Sequence, residues 1–110
     1  MANTFKNAIK SNVGSGSYDS LYTAPTSTTS IILGLALANK TTSAVTVKVQ
    51  ITDAAPSGTI QLLEDVSIPA NTTLEVLGGQ KYVLEAEDIL KVQAGTGTAI
   101  DAFLGVMERT

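Results

Sequence analysis

The sequence predicts an all-β protein: one antiparallel β-sandwich, jelly-roll or Ig-like, of about eight strands with an extended N-terminal arm. Three observations predict it. The stretch "SAVTVKVQITD" (Ser43 to Asp53) alternates, with Val45, Val47, Val49 and Ile51 on one side and Thr46, Lys48, Gln50 and Thr52 on the other. That period of two marks a strand with one dry face. Turn signals built on Gly, Pro, Asn and Asp recur about every ten residues. No stretch sustains a helical period, and 15 Thr and 9 Ser supply much of the polarity, Thr favouring strands and Ser turns.

Residues 1–17 read as an arm and residues 18–110 as the sandwich domain. The arm is polar with isolated apolar residues, and predicts a short strand around 5–13. A helix over 4–12 is the alternative, since Phe5 and Ile9 are four apart, but Asn7 and Asn12 disfavour it. Gly14 to Ser17 is a turn, a strand covers 18–23, and Pro25 ends its pairing. "TSIILGLALANK" (Thr29 to Lys40) is apolar on both faces: Ile31, Leu33, Leu35 and Leu37 on one, Ile32, Gly34, Ala36 and Ala38 on the other. Such a strand is covered twice, or meets another subunit. A turn at 39–44 then predicts a hairpin with the alternating strand. "DAAPSG" is a turn, and 59–68 is a strand with a bulge near Glu64 and Asp65. Residues 72–78 form a strand, Gly78-Gly79 signals a hairpin, and strands follow at 81–85, 89–94 and 99–108. In the last, Ile100, Ala102, Leu104 and Val106 share one face, with Phe103 and Met107 on the other.

Composition narrows the chemistry. The chain has 110 residues, no Cys, no His and no Trp. Without thiols there is no disulfide or thiolate metal site. Without histidine the commonest general base and metal ligand is missing, so a non-enzyme is expected. Net charge is −3, split as +3 over residues 1–50 and −6 over 51–110, and the basic residues are scattered. A nucleic-acid binder would show a basic stripe, so no nucleic-acid partner is expected. No apolar run approaches a membrane span, and the opening "MANTFKNAIKSNVG" lacks a signal core, which predicts synthesis in the cytoplasm and no membrane partner.

Candidate sites are few. "EAED" (Glu85 to Asp88) is the one acidic cluster, but it lacks the spacing of a calcium loop and reads as a solvated turn with Asp88 bonding its own backbone. "GSGS" and "GTGT" are not followed by helices, as a phosphate cradle requires. No catalytic, metal or cofactor residues are assigned. The interaction candidates are Phe5, Lys6, Ile9 and Lys10 in the arm, which need something to lie against, and Ile32, Ala36 and Ala38 on the second apolar face. Lys6 and Lys10 would pair with acidic residues of a neighbouring subunit.

The run from "LYTAPTSTTSIILGLALANKTTSAVTVKVQITD" to "IPANTTLEVLGGQKYVLEAEDILKVQAG" resembles small virion structural proteins of tailed bacteriophages, of the marine and cyanobacterial phage type. The shared pattern covers residues 20–94 and consists of strand and turn motifs. One turn departs from it, with Ala86-Glu87-Asp88 where Ala-Gly-Asp is common. The resemblance implies a capsid decoration or cement protein, attached in many copies through its arm and sheet edges. A neck, tail or baseplate accessory subunit is the alternative, as is a carbohydrate- or host-surface-binding module. It also implies localisation in the virion and partners among virion proteins, the major capsid protein or neck and tail subunits. Homo-oligomers, trimeric or following the particle's symmetry, are expected.

Overall fold

A computed structural model describes residues 3–54 and 57–110 of the chain. Among these residues the alternating segments form nine strands: β1 Asn3–Lys10, β2 Asp19–Thr23, β3 Thr29–Asn39, β4 Val45–Ala54, β5 Ser57–Ile68, β6 Thr73–Glu75, β7 Tyr82–Leu84, β8 Ile89–Ala94 and β9 Ile100–Arg109. All their pairings are antiparallel. The first sheet has the order β1-β9-β3-β6, with β7 also on β3, and the second has β2-β8-β4-β5. Of the predicted turn at 53–58, Ala55 and Pro56 lie outside the described residues, as do Met1 and Ala2 of the arm.

The topology decides between the two expected sandwiches. β6 and β7 lie one after the other along the same flank of β3. They are one strand interrupted by the Gly78-Gly79 loop, where both glycines adopt positive φ (58° and 87°). Counted as one, they leave eight strands, and the chain passes to the opposite sheet at every step except β4 to β5. That is a jelly roll.

Two expected hairpins are corrected by this. Gly78-Gly79 does not reverse the chain; it loops out of a strand that continues in the same direction. β3 and β4 do not pair either, because they lie in different sheets. The crossover between them is held by Asn39, which is buried at the end of β3. Its Nδ2 donates to the carbonyls of Ser43 (2.8 Å) and Ile68 (3.0 Å), with Pro69 O at 3.3 Å. Its Oδ1 accepts from the Thr41 N–H (2.9 Å) and hydroxyl (2.8 Å). One side chain thus replaces the ladder bonds the chain forfeits on leaving the sheet.

The core lies between the sheets. The valines Val45, Val47 and Val49 are buried as their alternation predicts, in one cluster with Leu35, Leu37, Leu104 and Val106 of the first sheet. Each fully buried aliphatic stabilises the fold by roughly 1.5–3 kcal/mol. The predicted bulge in β5 is present: pairing slips between Val47 and Gln50, and Asp65 takes a positive φ of 52°. A second bulge, in β3, is not visible in the sequence. Register shifts between Ile32 and Gly34, and the extra residue, Leu33, stands 40% exposed. Ile32 therefore joins Leu35 and Leu37 in the core, at 1% exposure, and Ile31 takes its place outside. The candidate Ile32 is a core residue, not part of an outer face.

The N-terminal segment is also corrected. Residues 3–10 are not a free arm waiting for a partner; they form β1, paired with β9 along its whole length. Ala8 packs against the core and Val13, just beyond, is fully inside it.

Asn39→Ala should remove about 2–4 kcal/mol of stability, since buried carbonyls and an N–H lose their partners at about 1–3 kcal/mol each. Urea denaturation measures this; Asn39→Asp, which cannot donate, should fare little better.

Candidate functional site

Direct partners in an antiparallel pair project to the same side of the sheet. The registers therefore define what the outer face of the first sheet displays. One row across it is Phe5, Met107, Ile31 and Val83; the next is Asn7, Gly105 and Gly34; the next is Ile9, Phe103, Ala36 and Glu75. Two largely apolar rows thus flank a middle row with two glycines, beside which the bulged Leu33 stands. Phe5 (72% exposed), Ile9 (71%), Val83 (60%) and Phe103 (50%) stand open to solvent. Four exposed large apolar residues on one face are more than scattered surface hydrophobes. A groove of about 380 Å³ runs beside Ile9, Ala36, Ala38, Thr73 and Phe103. Its floor is low because Ala36 and Ala38 are short.

Polar anchors fix this face at both ends. At one end Glu108 points inward and is buried. Its Oε2 accepts from the Tyr22 hydroxyl (2.5 Å) and its Oε1 pairs with Lys6 Nζ (2.9 Å), while Tyr22 also meets Ser30 Oγ (2.8 Å). The hydrogen bond from Tyr22, and then that from Lys6, holds Glu108 below the usual carboxylate range. Burial first, then the bond to Glu108, pushes the Tyr22 phenol up to about 12. At the other end Asp101 binds Lys40 Nζ (2.9 Å) and the Asn12 N–H (3.0 Å), which lower its pKa in that order. Lys40 also donates to Asn12 Oδ1 (2.7 Å). Both ends of the N-terminal segment are thereby tied to β9.

The interaction candidates separate accordingly. Phe5, Ile9, Ala36 and Ala38 converge on the outer face. Lys6 and Lys10 are set opposite Val106 and Ala102, residues of the inward side of β9, and so belong to the other side of β1. Lys6 pairs with Glu108 of its own chain, not with a neighbour. Phe103 and Met107, with Gly105 between them, are legible as an outer set in the sequence; Ile31 and Val83 are not, because their place depends on register. Glu75 is a further unforeseen contributor. Its Oε1 accepts from Leu35 N–H (3.2 Å), standing in for the strand missing between β6 and β7.

The edges of the sheets differ in kind. β2 has five residues and a bulge, β6 and β7 are interrupted, and β5 carries bulges with Glu64 and Asp65 engaged by Lys48 at 3.1 and 3.8 Å. β1 is the long, regular edge, without proline or bulge. Its inward-side lysines are the device by which edges avoid indiscriminate pairing.

One acidic group could offer oxygens to a hard cation: carboxylate oxygens of Asp53, Glu85 and Asp88 lie within 4.8 Å of one another. The turn reading accounts for Asp88, whose oxygens accept from Glu85 N–H (2.9 Å) and Ala54 N–H (2.9 Å). Glu85 and Glu87 of the turn are exposed as expected, while Asp88 is buried.

No family model matches the sequence, and no curated protein matches it. Among solved structures, the fold is similar to a chain from Bacillus endospore appendages, described as a novel family of disulfide-linked pili. The TM-score is 0.55 and the identity 13%, covering 98% of this chain and 88% of that one.

Stability should fall at both ends of the pH scale. Glu108 is depressed on folding, so its contribution is complete above an unfolded value of about 4.3 and lost as pH falls through the folded one. Tyr22 is raised, so its contribution is complete below about pH 10 and lost as pH climbs towards 12. Urea titrations across pH should show Glu108→Gln with a shallower acid limb; an unchanged limb would count against the network.

Proposed function

We propose that this chain is a structural subunit that works by packing into a larger assembly, in many copies and without catalysis. The observation that carries the reading is the apolar outer face of the first sheet, bordered by the regular edge strand β1. Apolar surface of this kind stabilises association by about 25 cal/mol per Å² covered. The likeness to a chain from disulfide-linked pili supports a fold suited to repetition. With no cysteine in this chain, disulfides do not hold its contacts.

More particularly, the chain is a decoration or cement subunit of a tailed-phage virion, seated on the major capsid protein. The alternative is a place in the neck, tail or baseplate. What supports this is the resemblance over residues 20–94 together with a jelly roll, an architecture shared by viral capsid and lectin domains. A sugar-binding module fits less well. Tyr22 and Tyr82 are half-buried and pack on the core, and the exposed rings are Phe5 and Phe103, which bring no hydroxyl.

Deleting the N-terminal segment would strip β1 from the sheet and bare β9, so point substitutions are the cleaner test. Phe103→Glu and Ile9→Glu should leave the circular dichroism spectrum and urea midpoint nearly unchanged. Both should reduce loading onto purified phage particles by roughly an order of magnitude or more, since a buried unpaired charge costs several kcal/mol. Normal loading of both variants would overturn the assignment of this face, and absence of the chain from virions by mass spectrometry would overturn the virion reading.

A further inference from the structure

The outer residues of β9 read Asp101, Phe103, Gly105, Met107, Arg109. Chemically this is a sequence that inverts about its centre: acid, aromatic, glycine, thioether, base. Consider a two-fold axis lying in the face, perpendicular to the strands and passing over Gly105. It sets each of these residues against its counterpart in a second copy. Asp101, which keeps Lys40 and the Asn12 N–H of its own chain, comes near Arg109 at the rim. Phe103 meets Met107, a favourable sulfur–aromatic contact. Gly105 meets Gly105, which lets the backbones approach.

The flanking strands obey the same operation. On β1, Phe5 is set against Ile9 across a central Asn7; on β3, Ile31 is set against Ala36 across Gly34. The groove of about 380 Å³ over Ala36 and Ala38 is then where the other copy's Ile31 enters. The bulged Leu33 stands beside Gly34 and Gly105 and must pack against the central row of the other copy, and at the border, where Val83 faces Glu75, the match is poor. Self-complementarity about one axis is what an isologous contact requires, and a surface made for an unrelated partner has no reason to possess it.

We propose that the occupant of this face is a second copy of the chain, packed sheet on sheet about a two-fold axis through Gly105. This pairing rests on the assembly reading above: the chain loads as the pair, and the contact with the particle uses other surfaces of it. Four strand columns at about 4.8 Å and about 33 Å of strand give about 600 Å² per copy, or about 1,200 Å² in all, the lower end of specific interfaces. The isolated pair is therefore weak and concentration-dependent, and gains strength from repetition in an assembly.

The absence of cysteine permits a clean test. Asn7 is exposed on the edge strand and meets its own counterpart on the same axis, so Asn7→Cys leaves the close approach at Gly105 untouched. With a short bismaleimide, the thiol introduced at position 7 should crosslink to its counterpart in a second copy. It should do so on the order of tenfold faster than one introduced by Ser67→Cys, exposed on the other sheet, because pre-association raises the effective concentration. Adding Phe103→Glu should abolish the difference. Equal rates at 7 and 67, with a monomer by light scattering at every concentration, would overturn the two-fold pairing. If Phe103→Glu still blocked particle loading in that case, the face would remain a docking surface for a different chain, and only the self-pairing would fall.

Discussion

The register of β9 is the constraint on which the rest of this molecule depends. β9 lies between β1 and β3, and its side chains alternate between core and outer face. A slip of one residue would send Leu104 and Val106 outside and Phe103 and Met107 in. Two polar anchors prevent it. Glu108 is held inside by the Tyr22 hydroxyl, itself bonded to Ser30, and by Lys6 reaching across from β1. Asp101 is held outside by Lys40 and the Asn12 backbone. A buried carboxylate contributes little net stability, but it is costly to misplace, which makes it an effective marker of register.

The proposed role follows from the same alternation. The inner set of β9 makes the core, and the outer set, with its partners on β1 and β3, makes an apolar surface with two glycines in its middle row. Among the described residues, that surface is apolar and open to solvent. It suits packing. Gly34 and Gly105 keep it low except where Leu33 bulges, and the N-terminal strand widens it with Phe5 and Ile9 while presenting lysines on its other side.

Much of this is legible in the sequence because period-2 alternation is a local property. The valines of β4, the bulge at Glu64-Asp65 and the two-faced character of β9 all come from neighbours within a few residues. What is not legible depends on distant pairing. Leu33 bulges because β3 must match β9 on one side and an interrupted strand on the other. No residue near it announces the slip; hence Ile32, not Ile31, reads as the outer residue. The β3–β4 crossover and the Gly78-Gly79 loop read as hairpins because turn chemistry says where a chain bends, not which sheet it enters next. Lys6 reads as available because its partner, Glu108, lies near the opposite end of the sequence.

Whether the outer face of the first sheet is a buried interface in the working assembly is tested most directly by a density map of that assembly, at a resolution that shows side chains. Phe5, Ile9, Phe103 and Met107 should be covered by another chain, with β1 still paired to β9 as in the single chain. A map in which these residues face open solvent, and the contacts run through the second sheet instead, would contradict a role for this face in assembly.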